Sequence, residues 1–289
     1  MIRFELLEPK SPVEACSLLS EYKDKAKIIA GGHGILPLLK HRTICPAYLI
    51  NIKGLAELDY VKENGGSVLI GALTTNHAIE VSPLIKAKFP MLAGLERYLG
   101  DVQIRNWGTV VGNLCMSTPT SDLAPALIAL GSSVIAKSTR GERKILLEEF
   151  FTDIMKTALE PDEMVTELQI PFPPPHSGSA YHKERVRMTD SPTAAVAVAV
   201  SLDEKREKVI AARIILQAVC PTPLRVKEAE TLMVGKKITD ISLELISEVA
   251  AVTACPISDI YGSAEYKKEM VKLVTGQLLQ QALEQARTV

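Results

Sequence analysis

Two glycine-centred segments, about eighty residues apart, restrict this chain more than any other feature. The first is Ala30-Gly31-Gly32-His33-Gly34, which follows the run Lys27-Ile28-Ile29. The second is Thr109-Val110-Val111-Gly112-Asn113, which runs on to Ser121-Asp122. Each reads as a loop whose bare backbone can approach a ligand closely. A strand, a glycine turn and then a helix aim unpaired N–H groups at an anion. The first segment is not Gly-x-Gly-x-x-Gly, and no Gly-Lys-Ser/Thr follows it, so neither a Rossmann dinucleotide site nor a P-loop is supported. Two such loops point instead to a nucleotide diphosphate held between two pieces of protein. In the second, Thr109 offers a hydroxyl and Asn113 offers both a donor and an acceptor. Two side chains nearby stay open to two readings each. Asp122 is either a helix cap or an acceptor for ligand hydroxyls, and Arg105 is either a phosphate partner or half of a surface ion pair.

The chain has 289 residues, 47% of them hydrophobic, which is ample for a buried core and for two or three domains. A net charge of −1, with no block of like charges, gives no nucleic-acid surface. The longest apolar runs, such as residues 193–202, are too short to span a bilayer. Met1-Ile2-Arg3-Phe4-Glu5 carries charge where a signal peptide needs an apolar stretch. The five cysteines are spread out, with no Cys-x-x-Cys pair, and the five histidines show no helical i, i+4 pairing. No disulfide framework, iron–sulfur cluster or zinc site is expected, and these side chains read as structural. A reducing cytoplasm fits that usage.

Along the chain, residues 1–6 read as a strand. Ser11-Pro12-Val13-Glu14 reads as a capped helix start, with Ser11 as N-cap and Glu14 reaching back. Residues 27–30 and 47–52 read as further strands and residues 35–40 as a helix, a β-α-β-α-β succession. Gly65-Gly66 marks a hairpin. Residues 75–81 and 84–100 read as helices, and residues 103–116, rich in β-branched side chains and broken by glycines, as extended chain with loops. Residues 122–130 read as a helix and 133–138 as a strand. Pro171-Phe172-Pro173-Pro174-Pro175 excludes regular helix or inner strand and marks a domain boundary. Beyond it, residues 193–202 and 209–218 read as strands, and residues 225–234, 242–253 and 263–287 as helices.

Taken in order, these segments resemble the flavin-binding medium subunits of molybdenum hydroxylases, the family of carbon monoxide and xanthine dehydrogenases. Ala30-Gly31-Gly32-His33-Gly34-Ile35-Leu36-Pro37 resembles the family's first signature. Gln103-Ile104-Arg105-Asn106-Trp107-Gly108-Thr109-Val110-Val111-Gly112-Asn113, continued by residues 117–125, resembles the second. Phe150-Phe151, residues 159–163 and Ile170-Pro171 are similar to the end of its flavin domain. Tyr181-His182-Lys183, Asp190 and residues 258–266 are similar to its C-terminal domain. The resemblance covers essentially the full length.

The resemblance implies an α+β chain with the PCMH-type fold shared by vanillyl-alcohol oxidase and MurB. Two subdomains, about 1–53 and 54–176, would clasp an extended FAD, and residues 177–289 would form an antiparallel sheet with helices. Carried over by position, Ile29, Ala30, Gly31, Gly32, His33, Gly34, Ile35 and Leu36, with Thr109, Val110, Val111, Gly112 and Asn113, would hold the pyrophosphate and neighbouring groups. Asp122 would bind the ribityl region and Val165 the adenine side or nearby ribose. Lys183 would lie at the isoalloxazine end, and Asp190 on a loop near the flavin's reactive edge. No catalytic acid or base and no metal ligand is implied in this chain.

The implied function is electron transfer from iron–sulfur clusters to an external acceptor. A small iron–sulfur subunit and a large molybdopterin-binding subunit would be partners, as a dimer of heterotrimers. The assembly would be cytoplasmic, at most peripheral to the inner face of the membrane. Three departures from the family pattern stand out. Val111 takes the place of a glycine, where positive φ would be costly. Gly34 replaces Ser or Asp, and Ser191-Pro192 replaces an aromatic. Two other readings share this fold: a self-contained flavoprotein oxidase, and a scaffold subunit whose flavin site has decayed.

Overall fold

The computed structural model describes residues 3–187 and 190–288. Met1 and Ile2 of the expected first strand lie outside these; the strand itself is β1 (Glu5–Leu7). Ser11 caps α1 (Pro12–Tyr22) by accepting from the Glu14 N–H. The Glu14 carboxylate accepts from the Lys10 N–H, 2.7 Å, rather than from Ser11, so the expected reciprocal box is displaced by one residue. β2 (Ala26–Ile29), α2 (Ile35–Lys40) and β3 (Tyr48–Asn51) complete the unit. The sheet is parallel in the order β1-β3-β2, with α1 and α2 as its crossovers.

The second unit opens with the hairpin β4 (Val61–Asn64) and β5 (Ser67–Gly71). Short helices follow: α3 (Asn76–Val81), α4 (Pro83–Lys88), α5 (Pro90–Glu96), α6 (Val102–Trp107), α7 (Val110–Cys115) and α8 (Leu123–Ala129). Two expectations are corrected here. The helix expected over residues 84–100 is broken before Pro90, whose missing N–H and fixed φ start a new helix, and it ends at Glu96. Residues 103–116 are not extended. Asp101 accepts from the Ile104 N–H and Thr109 from the Gly112 N–H, and these caps nucleate two six-residue helices out of β-branched sequence. β6 (Ser133–Ser138), β7 (Gly141–Leu146), α9 (Leu147–Phe150), the small hairpin β8 (Phe151–Asp153) and β9 (Lys156–Thr157), and β10 (Met164–Pro171) follow. They complete a five-stranded antiparallel sheet in the order β4-β5-β10-β6-β7.

The third unit is a four-stranded antiparallel sheet of β11 (Ser177–Glu184), β12 (Ala194–Leu202), β13 (Val209–Gln217) and β14 (Leu224–Arg225). It is covered by α10 (Lys227–Thr231), α11 (Leu243–Thr253) and α12 (Ala264–Thr288). The helix expected over 225–234 is shorter because Leu224 and Arg225 pair with β13. Alternation along β12 sorts its side chains. Val196, Val198 and Val200 face the helices, while Ala197 and Ala199 face the core of the second unit. Ala197 and Ile215 are fully buried there beside α8, every residue of which is buried.

Candidate functional site

β2 ends at Ile29 and the chain turns at Gly32, whose φ of +81° suits glycine. The Leu36 N–H donates to the Gly32 carbonyl, 2.9 Å, and starts α2. Among the described residues, the N–H groups of Gly31, Gly32, His33 and Gly34 have no hydrogen-bond acceptor. Gly31, Gly32 and Gly34 are half-buried and His33 is exposed, so these donors are open to an outside acceptor. Gly31 is also where the two glycine segments meet: a Cβ built there would stand 1.8 Å from the Trp107 carbonyl oxygen. Lys53 Nζ lies 3.6 Å over the Trp107 ring and closes the same seam.

The second segment is a helix start rather than a loop. Thr109 pairs with Thr75 across an isolated bridge, and its hydroxyl caps α7 at the Gly112 N–H, 3.0 Å. Val111 is therefore helical, and the positive φ that a valine resists is not required of it. Its side chain is buried in the main core. The place of Gly34 has a similar reason: a Cβ there would meet Met116 Cγ and Sδ at 2.5 Å.

These segments share one cleft of about 580 Å³, within the roughly 300–1,000 Å³ common for ligand sites. Ile29 through Ile35 line it, as do Thr109, Val111, Gly112, Asn113 and Val165. Leu36 and Val110 do not: Val110 is buried in the core and Leu36 is at the surface. Glu163 on the cleft wall is held by the Arg143 guanidinium at 2.7 Å through both oxygens, which lowers its pKa below the usual carboxylate range. Arg105, by contrast, is spent on Glu80 at 3.1 Å and on the Leu99 and Gly100 carbonyls, so it takes the ion-pair reading.

Sequence reasoning missed Asn76. It is buried, it lines the cleft, and its Oδ1 has no hydrogen-bond partner. An orphaned acceptor in a cleft costs roughly 1–3 kcal/mol unless a ligand supplies a donor. Nothing local in Thr75-Asn76-His77 signals this. The role exists only once the bridge between Thr75 and Thr109 has folded Asn76 inward.

Asp122 and Lys183 lie apart from the cleft, on a smaller cavity of about 390 Å³ that Tyr98, Tyr181 and Arg185 also line. Asp122 stands at the N-cap position of α8 but makes no cap bond, so that reading is corrected. Its carboxylate instead accepts from Lys183 Nζ at 2.8 Å and from the Tyr181 hydroxyl at 3.1 Å. Burial, and then the Asp122 charge, push the Tyr181 phenol well above its usual range, so it stays a donor. Ser121 joins the two places, its hydroxyl donating to Asn113 Oδ1 at 2.8 Å. Asp190, between β11 and β12, lines neither cavity, and its N–H donates to the Arg187 carbonyl. Met188 and Thr189 beside it lie outside the described residues.

A small parallel sheet and a larger antiparallel one thus share one cleft, lined by the glycine segments of the first and second units. The FAD binding domain of molybdopterin dehydrogenases matches residues 2–173, and the C-terminal domain of the carbon monoxide dehydrogenase flavoprotein matches residues 179–282. This chain belongs to that family of FAD-binding medium subunits of molybdenum hydroxylases. It is 33% identical to the carbon monoxide dehydrogenase medium chain of Afipia carboxidovorans over 98% of this chain and 96% of that one. It is equally 33% identical to the glyceraldehyde dehydrogenase medium chain of Sulfolobus acidocaldarius, over 94% of this chain and 95% of that one. Its fold superposes on a solved carbon monoxide dehydrogenase from Hydrogenophaga pseudoflava with a TM-score of 0.94 at 33% identity, covering 99% of each chain. The α+β fold expected from the resemblance is thereby established. Among the described residues, no helix is long and apolar enough to cross a membrane, and no cluster of side chains is suited to a metal ion.

Proposed function

We propose that this chain carries FAD in an extended path from the glycine cleft to the Asp122–Lys183 pair, and relays electrons from a small iron–sulfur subunit to an external acceptor. A large molybdopterin-binding subunit oxidises the substrate, and the assembly is a cytoplasmic dimer of heterotrimers. Residues 1–176 form the flavin domain and residues 177–289 the C-terminal domain.

One observation carries this reading: two segments eighty residues apart touch through bare backbone at Gly31 and line one cleft that holds unpaired N–H groups and the orphaned Asn76 oxygen. The N–H groups of Gly31, Gly32, His33 and Gly34 are donors for the pyrophosphate. Asn76 Oδ1 accepts from a hydroxyl or amine of the adenosine half, and Val165 offers apolar wall to the same half. The Asn113–Ser121–Asp122 run leads from the cleft to the second cavity. There each Asp122 oxygen has one donor and keeps a lone pair for a ribityl hydroxyl. Lys183, buried and already paired, sets the charge at the ring end, and Asp190 sits on the loop toward its reactive edge. Bound FAD exchanges one or two electrons, which lets a single-electron donor feed a two-electron acceptor.

The test is direct. The complex purified without added flavin releases one FAD per chain on denaturation, free in the supernatant. Under anaerobic conditions the flavin is bleached by the complex's substrate only when the partner subunits are present. A colourless complex that takes up no FAD defeats the reading, and bleaching by the isolated chain would make it a self-contained oxidase.

A further inference from the structure

Cys220 and Cys255 are distant in sequence, yet their sulfurs stand 2.8 Å apart, both as free thiols. The backbone produces this meeting. β13 ends at Gln217, and Ala218 turns the chain in the left-handed region at φ +66°. Val219 is fully buried and its carbonyl accepts the Cys255 N–H at 3.1 Å. Cys255 follows the end of α11 by way of the buried Ala254. Both cysteines are thus next to anchored core residues. The same turn grips the loop that leads to Asp122. The Ala218 N–H donates to the Pro119 carbonyl at 3.0 Å, and Gln217 Nε2 donates to the Thr118 and Pro119 carbonyls at 3.2 and 2.6 Å. Cys255 is exposed and Cys220 half-buried, so an outside reagent reaches Cys255 first.

We propose that Cys220 and Cys255 form a thiol–disulfide exchange site that reacts with a small-molecule disulfide of the glutathione class and closes into an intramolecular bridge. In the first step the Cys255 thiolate attacks one sulfur of oxidised glutathione. A Cys255–glutathione disulfide forms, the glutathione S–S bond breaks, and one glutathione thiolate leaves. In the second, Cys220 gives its proton to solvent and attacks the Cys255 sulfur, expelling the second glutathione thiolate. Two electrons pass from the cysteine pair to the reagent, and the two thiol protons end on two reduced glutathiones. At rest, burial and then the hydrogen bond with Cys255 push the Cys220 thiol up to about 12, so it waits protonated. The second of these causes disappears once Cys255 is capped. Closure ties the 217–220 turn, which also holds the Pro119 carbonyl, to the end of α11.

The full flavin-loaded chain is incubated with oxidised glutathione, quenched in acid, alkylated and mapped by mass spectrometry. The expected product is a cross-linked peptide joining Cys220 and Cys255, lighter by two hydrogens, while Cys45, exposed and without a neighbouring thiol among the described residues, keeps a glutathione adduct. In Cys220→Ser the adduct on Cys255 persists at least about tenfold longer than in wild type, because the resolving thiol is gone. Wild type that keeps its Cys255 adduct as long as Cys220→Ser does, with no cross-linked peptide, overturns the proposal. The wild-type map alone decides the matter if the variant folds poorly.

Discussion

At the scale of single residues, the site rests on places where no side chain fits and on one buried charge pair. Gly31→Ala drives a methyl into the Trp107 carbonyl at 1.8 Å, and backbone on both sides cannot yield as a flexible side chain would. The two cleft walls must part. We expect FAD affinity to fall at least about tenfold, near 1.4 kcal/mol, in a chain that still folds, as read by flavin fluorescence titration. Gly34→Ala meets only the movable Met116 and is expected to bind FAD nearly as well. Asp122 and Lys183 pose a different question, because their side chains are only 10% and 6% exposed. Asp122→Ala strands a buried ammonium and should cost about 3–5 kcal/mol in the flavin-free chain by urea denaturation. Asp122→Leu combined with Lys183→Met should recover much of that loss, since removing both charges leaves none stranded. A double variant as unstable as Asp122→Ala would mean the loss is one of packing.

At the scale of elements, the cap at Thr109 is the feature on which the second half of the cleft depends. It satisfies the Gly112 N–H and starts a helix only six residues long. Thr109→Ala should cost about 1 kcal/mol by chemical denaturation and loosen FAD binding with it. Thr109→Ser, which keeps the oxygen, should lose much less. Elements with a strong local signal were legible in the sequence. Ser11-Pro12 announced α1, and α2 and β6 span the residues read for them. α6 and α7 were not legible, because six residues are too few for a helical period and Val, Ile and Thr favour extended chain. Their caps decide the matter, and Asp101 and Thr109 look like ordinary loop residues until folded. The site divides in the same way. The glycine segments announced a cleft through their backbone chemistry. The partners of Asp122, by contrast, come from β11, some sixty residues away, and the inward turn of Asn76 depends on a bridge to Thr109. No local pattern encodes either.

At the scale of the whole molecule, the C-terminal sheet lends Ala197 and Ile215 to the core of the first two units, and one carboxyl lies deep between charged neighbours. Glu96, at the end of α5, is fully buried, and neither oxygen has a hydrogen-bond partner. Burial first, and then the charges of Glu80 and Asp122 against the opposing pull of Arg105, hold its pKa well above the ordinary value of 4.5. The folded chain therefore keeps a proton that the unfolded chain loses as pH rises past that value, so this contribution to stability drains away on the alkaline side. Relative to Glu96→Gln, wild type should lose Tm as pH rises above the ordinary carboxylate range, in a series of thermal melts. A constant difference over that rise in pH would place the charged form in the native state.

The junction between the units permits the same kind of argument. α8 is buried along its entire length, and Ala197 and Ile215 of the C-terminal sheet lie in the same core. Lys183 and Tyr181 complete Asp122, Gln217 holds the Pro119 carbonyl, and Arg225 bridges to Glu148 at 2.7 Å. A fragment of residues 1–176 loses all of these at once. Uncovering three or four such apolar side chains costs on the order of 5 kcal/mol, comparable to the whole stability of a typical domain. We expect the fragment to bind a hydrophobic dye, aggregate at concentrations where the full chain is monodisperse, and retain FAD poorly even though it keeps both glycine segments. A monodisperse fragment with the full chain's Tm and one bound FAD would mean that the C-terminal sheet contributes surface, not support, to the glycine-lined cleft.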